Sequence, residues 1–471
     1  MNILLIEPPP PTELGSIRVI GSMGTPKTDI AWAPLDLMII SGYLEKNGIP
    51  SIVSDANANM LGFQEVKKLI EEESPHVVIF TTSTTTIYND LKIATLAKEV
   101  SQAIKTVAIG SHIMVLPEES LRENFHLDIA VYSEPEIPIL ELIKSDLNPT
   151  QIKGICYRAG EEIVSNEPSP LCHNLDEFGF PSHNKVPFQL YRDPMIKRRP
   201  MTLTAASRGC INACIFCCSP LYGNYRKRSV PHVIQELEWI VELGIKELNF
   251  FDPGLTYDFK WANQLFDEMI RRKIDLSWKA NARADRIDYD MAVKMKEAGC
   301  HTVQIGAESA DLKILRNIRK NITPDMVGKA VSAAKKAGLE TLVYFSLGWP
   351  GETKETMKKT IKFAKSLKTD LVTFGQATPH PGTAFYDYIE RNDYFTTRDW
   401  RKFDPMYKPV FSYPHLSNDD IYDAVIHGYR SFYMRPAYLL RRLFKLRSIL
   451  DVKKDLINFC AFFNRYILKK V

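Results

Sequence analysis

The amino-acid sequence predicts an α/β protein built from a doubly wound, Rossmann-like domain, a partial (β/α)6 barrel and a mostly helical carboxyl-terminal region. Three observations predict it. Short β-rich runs alternate with helical patterns five times over residues 1–145 and six times over residues 200–390. Between these stretches, residues 146–199 lose the rhythm and carry scattered prolines. Over residues 391–471 the pattern turns helical and aromatic.

Taken in order, NILLIEPP, IPSIVSDA, HVVIFTT, TVAIGSH and DIAVYS each precede a helix-like or loop segment, the mark of a doubly wound parallel sheet. Such sheets hold ligands beyond the carboxyl ends of their strands, here near Glu7, Asp55, Thr81 to Ser83, Gly110 to His112 and Ser133. The stretches NEPSPLC and GFPSHNKVP read as a connection rather than a unit of fold. The second alternation supplies strands LTAAS, KELNFFD, DLSWKANARA, HTVQIGAES, ETLVYFSLG and DLVTFGQATP, with amphipathic helices such as VPHVIQELEWIVELG between them. Parallel barrels carry their chemistry on the loops after the strands, so Arg208 to Cys217, Asp252, Arg283, Glu308, Ser309 and Gly348 to Gly351 are expected around one opening. PHPGT, which carries His380 and ends at Thr383, reads as a rigid turn.

The chain of 471 residues, 45% hydrophobic and 25% charged, is long enough for two or three ordinary globular domains. A net charge of +4 is too small for the field of a dedicated nucleic-acid binder. Positive charge gathers only at the end, where Arg435, Arg441, Arg442, Lys445, Arg447, Lys453, Lys454, Arg465, Lys469 and Lys470 face Asp451 and Asp455. Mixed with Phe, Tyr, Leu and Ile at near-helical spacing, that tail suits either an anionic membrane surface or a helical hairpin packed on the barrel. No apolar run is long enough for a membrane span, and MNILLIEPPPP lacks a basic leader. Both features read as a cytoplasmic chain, peripheral at most to the inner face of a membrane.

Of eight cysteines, Cys210, Cys214, Cys217 and Cys218 crowd into nine positions, which suggests metal binding rather than a disulfide framework. SRGCINACIFCCSP sets Cys210, Cys214 and Cys217 in a CxxxCxxC spacing just after a predicted strand, so three thiolates can wrap one corner of an iron–sulfur cluster. Three ligands for four irons leave one iron open to bind and activate a cosubstrate. The alternative is a structural zinc site, which normally closes its shell with four ligands from two spaced pairs.

CxxxCxxC after the first strand of a six-unit barrel resembles the radical S-adenosylmethionine superfamily. The resemblance implies a 4Fe-4S cluster whose open iron chelates S-adenosylmethionine, one-electron cleavage to a 5′-deoxyadenosyl radical, and abstraction of hydrogen from an unactivated carbon. It implies an electron donor such as flavodoxin or ferredoxin, and no side chain acting as a nucleophile. Phe216 matches a common aromatic of the family, while Ile211 stands for a frequent proline. Asp252 in FFDPG, Arg283 in NARAD, Glu308 and Ser309 in GAES, and Gly348 and Gly351 in GWPGET resemble its cosubstrate segments. Asp252 replaces a glycine-glycine-glutamate turn. Glu308 is alternatively a buried carboxylate paired with an arginine such as Arg283, and the two glycines alternatively just make a turn.

A five-strand domain ahead of such a barrel resembles the cobalamin-binding subgroup, through LLIEPP, APLDLMIISGYLEKNGI, SDA, AIGSHIMVLPEE and YSEPE. Asp55, Ser83, Gly110, His112 and Glu134 are the cofactor-binding candidates that this implies, although Asp36 stands for a usual glycine and Ser133 and Pro135 flank Glu134 where glycines are usual. The cobalt-ligating histidine of DxHxxG is absent, since Asp55 is followed by Asn57, so the expected cobalamin is histidine-off. The implied function is methylation of a hydrophobic substrate, an isoprenoid lipid or a tetrapyrrole. The alternatives are radical cyclisation, oxidation or rearrangement on the same scaffold, and a metal-stabilised binding or sensory protein.

Overall fold

The computed structural model describes residues 1–19, 30–404 and 407–443. All five amino-terminal runs form strands: β1 (Ile3–Glu7), β2 (Ile52–Asp55), β3 (Val77–Thr82), β4 (Lys105–Gly110) and β5 (Ile129–Val131). They lie parallel in the order β2-β1-β3-β4-β5. Helices cover both faces of such a sheet, which is why its central strands β1 and β3 are buried at every position rather than alternating.

The segment 146–199 is more than a connection. Two strands, β6 (Ile155–Ala159) and β7 (Glu162–Ser165), continue the first sheet antiparallel, with Val131 opposite Ile155 and Tyr157 opposite Val164. A two-residue turn at Gly160 and Glu161 closes the hairpin, and this short signal is lost among the flanking prolines. Further on, Arg192 bridges Ala31, and Asp193 receives Nζ of Lys279 at 2.6 Å and the indole N–H of Trp32 at 2.9 Å. The connection is thus anchored to both domains.

The second unit begins with β8 (Met201–Thr204), then a separate ribbon of β9 (Ser207–Arg208) and β10 (Arg226–Lys227), then β11 (Glu247–Phe250), β12 (Ser277–Ala282), β13 (Cys300–Glu308), β14 (Glu340–Leu347) and β15 (Leu371–Gln376). Six parallel strands follow one another as β8-β11-β12-β13-β14-β15, and among the described residues β15 does not pair with β8. The barrel is therefore partial, as expected. Fully buried Trp278 lies 5.2 Å from the Phe250 ring and 5.4 Å from Phe266, fastening two strands to the helix Phe259–Arg271. The free edge of β15 is covered from the carboxyl-terminal side. Tyr433, at the end of the helix Asn418–Tyr433, donates its hydroxyl to Val372 O at 2.6 Å and accepts from Val372 N at 3.1 Å.

The region after residue 390 is less helical than predicted. Phe395 bridges Phe411 and Tyr413 bridges Leu416 before the helices Asn418–Tyr433 and Pro436–Leu443. Clustered aromatics in this stretch serve packing between those pairs. Arg435 donates to the Phe432 carbonyl at 2.9 Å, and the basic tail from Lys445 onward lies outside the described residues. No described helix is long and apolar enough to cross a membrane.

Candidate functional site

The cysteine loop hangs from a ribbon. Strand β9 pairs antiparallel with β10, Arg208 opposite Arg226, so the seventeen residues between them return to their starting point. Gly209 opens the loop at φ +70°, where a Cβ would stand 2.3 Å from Asn224 O, so only glycine fits. Asp252 supports this base: its carboxylate accepts from the Ser207 hydroxyl and, at 3.2 Å, from Ala206 N. Burial raises its pKa to about 6. The side chain is thereby committed to the ribbon.

Inside the loop, donors converge on two of the three sulfurs. Cys210 Sγ receives Asn212 N at 3.4 Å and lies 3.3 Å from the Tyr257 hydroxyl. Cys217 Sγ receives Ser219 N at 3.4 Å and lies 3.2 Å from the Ser219 hydroxyl. Cys214 instead faces the Arg319 carbonyl at 3.7 Å, and burial raises its pKa against the opposing pull of Lys320 and Arg283. Ile215 pairs by its backbone with Ile318 and with Phe385, which fixes the loop against two barrel segments. Among the described residues no group of three or more His, Cys, Asp or Glu converges on a single-ion site. Cluster thiolates bind separate irons, and sulfurs provided with N–H and O–H donors suit that chemistry.

Beyond the sulfurs lies a cationic and carboxylate group that the sequence only half announces. Arg283 donates to Asp285 at 2.9 Å and to Lys320 O at 3.1 Å. Glu308 pairs with Lys320 at 2.9 Å and accepts from Ser346 at 3.2 Å, so its partner is a lysine and not Arg283. A register shift between Gly306 and Glu308 and a φ of +62° at Glu308 turn that carboxylate off the regular pleat. Lys320 escapes sequence reading because it sits in a turn after the helix Leu312–Asn317 rather than at a strand end. Ser309 turns away: its hydroxyl lies 3.2 Å from Thr360 Oγ1 in the packing of strand on helix.

Gly348 and Gly351 form a turn, both at positive φ, held by Glu352 accepting from Gly348 N at 2.8 Å and Trp349 N at 3.0 Å. Trp349 packs on Phe216 at 4.8 Å, and its indole N–H is buried without a partner among the described residues, as is the Thr256 hydroxyl. Orphaned buried donors beside the cysteine loop fit a polar cosubstrate. Burial raises the Glu352 pKa to about 7, so its contribution to stability is present at low pH and lost as pH rises through about 7. Glu352→Gln keeps an acceptor and removes the charge. Its stability relative to wild type is expected to grow by about 3 kcal/mol between pH 4 and pH 8 in chemical denaturation. A pH-independent difference would refute this.

On the first domain, Asp55 accepts from the Tyr191 hydroxyl at 2.9 Å and Ala58 N at 2.8 Å, and burial raises its pKa to about 7. Asn57 clamps the backbone of Ser16, accepting at 2.8 Å and donating at 2.9 Å. This position is therefore filled by a locked carboxamide. Arg18 binds Glu7 at 3.0 Å and Asp90 at 2.8 Å and holds the preceding loop against the sheet crest. Ser83 shares its hydroxyl with Thr86 at 2.8 Å, while Thr84 lies 3.3 Å from His112 Nδ1. Gly110 abuts Thr82 so closely that a Cβ would stand 2.2 Å from its carbonyl. Burial lowers the His112 pKa to about 3, keeping it neutral. A row of small hydroxyls with a glycine cradle fits a bulky polar ligand such as cobalamin.

Glu134 has both oxygens on Arg226, at 2.8 and 2.6 Å, and Arg208 lies 3.5 Å away. Glu136 takes Arg208 in a second two-pronged pair, one arm at 3.0 Å. Carboxylates at the end of β5 thus grip both strands of the ribbon that carries the cysteines. Burial raises Asp36, beside Arg208 and Glu136, to about 7. The seam continues where Gly382 meets Val115, with a Cβ there only 2.6 Å from that side chain, and where Trp400 meets His112 at 5.3 Å. His380, on the same turn as Gly382, has Nε2 buried without a partner among the described residues, and burial lowers its pKa to about 4.

Comparisons with known proteins bear on the family and the fold. The model of the Radical SAM superfamily matches residues 205–364 and that of the B12 binding domain residues 27–143. The chain is 35% identical over 451 residues to an uncharacterised methyltransferase of Pyrococcus horikoshii, covering 94% of this chain and 95% of that protein. It is 27% identical to the anaerobic magnesium-protoporphyrin IX monomethyl ester cyclase of Rubrivivax gelatinosus, over 87% of this chain and 75% of that one. In fold it is similar to a radical S-adenosylmethionine methyltransferase of Kitasatospora setae solved with cobalamin and an iron–sulfur cluster, at TM-score 0.68 and 18% identity, covering 83% and 75% of the two chains. A cobalamin-dependent S-adenosylmethionine radical enzyme, OxsB, superposes at TM-score 0.65 with 17% identity, over 91% of this chain and 61% of that one.

Proposed function

We propose, from the premise that the chain belongs to the Radical SAM superfamily in its B12-binding branch, that it methylates an unactivated carbon of a hydrophobic substrate, an isoprenoid lipid or a tetrapyrrole. Membership makes it an enzyme with a 4Fe-4S cluster, S-adenosylmethionine and cobalamin as its cofactors, which replaces the reading as a binding or sensory protein. When bound, these groups supply hydrogen abstraction and a transferable methyl group. The chain's own residues hold and orient them.

The observation that carries this reading is the double ion pair Glu134–Arg226 and Glu136–Arg208, which fixes the cysteine loop to the crest of the other domain. Cys210, Cys214 and Cys217 would hold the cluster. Glu308 and Lys320 would take the amino and carboxylate ends of the cosubstrate, with Arg283 adding a second cation near Cys214. Ser83, Thr84 and the Gly110 turn would receive the corrin. The aromatic and aliphatic seam of Val115, Trp400 and Phe403 suits an apolar substrate. A flavodoxin or ferredoxin delivers the electron, and the basic tail attaches the enzyme at the inner face of a membrane.

Relatives support both substrate chemistries unequally. A bacteriochlorophyllide d C-12(1)-methyltransferase of Chlorobaculum tepidum is 26% identical over 78% of the chain, which favours methylation of a tetrapyrrole. The anaerobic cyclase relatives favour the second reading, oxidative ring closure.

Anaerobic purification from cobalamin-fed cells, with iron, sulfide and corrin measured on one sample, tests the cofactors. Product mass then separates the readings: methylation adds about fourteen mass units, and ring closure loses hydrogens. A full cluster without corrin would overturn methyl transfer.

A further inference from the structure

The three sulfurs of the cysteine loop are not equivalent. Cys214 has no donor of its own in the loop and faces a carbonyl, whereas Cys210 has a donor from outside the loop, the phenol of Tyr257 at 3.3 Å. Tyr257 comes from the segment after β11, forty-seven positions away, and is only 9% exposed. The polarity of the contact is set by a third group. Asn212 Nδ2 donates to the phenolic oxygen at 3.4 Å, so that oxygen acts as acceptor there and its own hydrogen is left to point at the sulfur.

The ring has little freedom to leave. A Cβ on Gly254 would stand 2.3 Å from the Tyr257 ring, so the ring lies flush on glycine backbone. On another side Tyr225 meets it edge-on at 5.4 Å. A donor held from behind and beside needs no reorganisation when charge accumulates on the sulfur. Hydrogen bonds to cluster sulfurs stabilise the more negative, reduced state and raise the reduction potential.

We infer that Tyr257 is a positioning residue that tunes the cluster, its hydroxyl donating to the Cys210 thiolate and making the cluster easier to reduce. The inference rests on the cluster assignment above. It concerns readiness to accept the electron, before any cosubstrate or substrate is bound.

The test is a mediator-based redox titration of the anaerobically reconstituted protein without S-adenosylmethionine, following the reduced cluster by electron paramagnetic resonance. Tyr257→Phe keeps the ring and removes the donor. With iron and sulfide unchanged, the ratio of reduced to oxidised cluster at the wild-type midpoint is expected to fall about fivefold, the weight of one ordinary hydrogen bond. An unchanged ratio at full iron content overturns the inference. Should the phenylalanine variant lose iron, 3-fluorotyrosine at position 257 decides, because it is a stronger O–H donor of nearly the same shape. It is expected to move the midpoint the opposite way, and no shift or a downward shift overturns the inference. Wild-type protein that takes up no iron would overturn the cluster assignment itself, and this inference with it.

Discussion

Replacing Cys210, Cys214 and Cys217 together by alanine is expected to remove about four irons per chain and abolish cleavage of S-adenosylmethionine. The surrounding fold should survive. The ribbon is closed by backbone pairing of Arg208 with Arg226, by Asp252 on Ser207 and by the Glu134 and Glu136 ion pairs, none of which uses a sulfur. Iron content, 5′-deoxyadenosine formation under a reductant and the thermal midpoint should therefore separate. The first two fall to background while the third stays near that of wild-type protein stripped of its cluster. Cleavage retained by the triple variant would sink the cluster assignment.

The second large effect is expected at Glu136→Ala. Arg208 is 8% exposed along its side chain, and without Glu136 its nearest carboxylate is Glu134 at 3.5 Å, already engaged by Arg226. Breaking a buried pair from one side leaves an uncompensated charge and costs about 3–5 kcal/mol. A buried pair removed from both sides is often nearly neutral, so Glu136→Leu combined with Arg208→Met should recover much of the loss. Chemical denaturation of the two single variants and the double measures this coupling. If Glu136→Ala alone is as stable as wild type, the clamp carries no weight.

The strands were legible because a parallel sheet covered on both faces needs continuous apolar runs, and each of the eleven quoted runs overlaps one of the parallel strands, although LTAAS catches only the last two residues of β8. The cysteine spacing was legible because it is local. What escaped was built from distance. The Arg226 to Glu134 contact spans 92 positions and Arg208 to Glu136 spans 72, so neither leaves a pattern in any short window. Asp252 was legible as a strand-end carboxylate, but its engagement by Ser207 depends on the chain leaving β8 after Thr204 to form a ribbon. Lys320 was missed as the partner of Glu308 because the bulge at Gly306 redirects that carboxylate. The hairpin of β6 and β7 was masked by prolines around it, and the bridge from Phe395 to Phe411 looked helical because aromatics recur there without a strict period of two.

Trp400 closes on the first domain through His112 and donates its indole N–H to Glu119 at 3.3 Å, from 281 positions further along the chain. During synthesis the amino-terminal domain emerges and folds first. Its crest of Ser83, Thr84 and Gly110 then lacks this cover until the segment holding Trp400 leaves the ribosome. Once the fold is complete, reaching that crest from the Trp400 side requires local opening of the Trp400 segment.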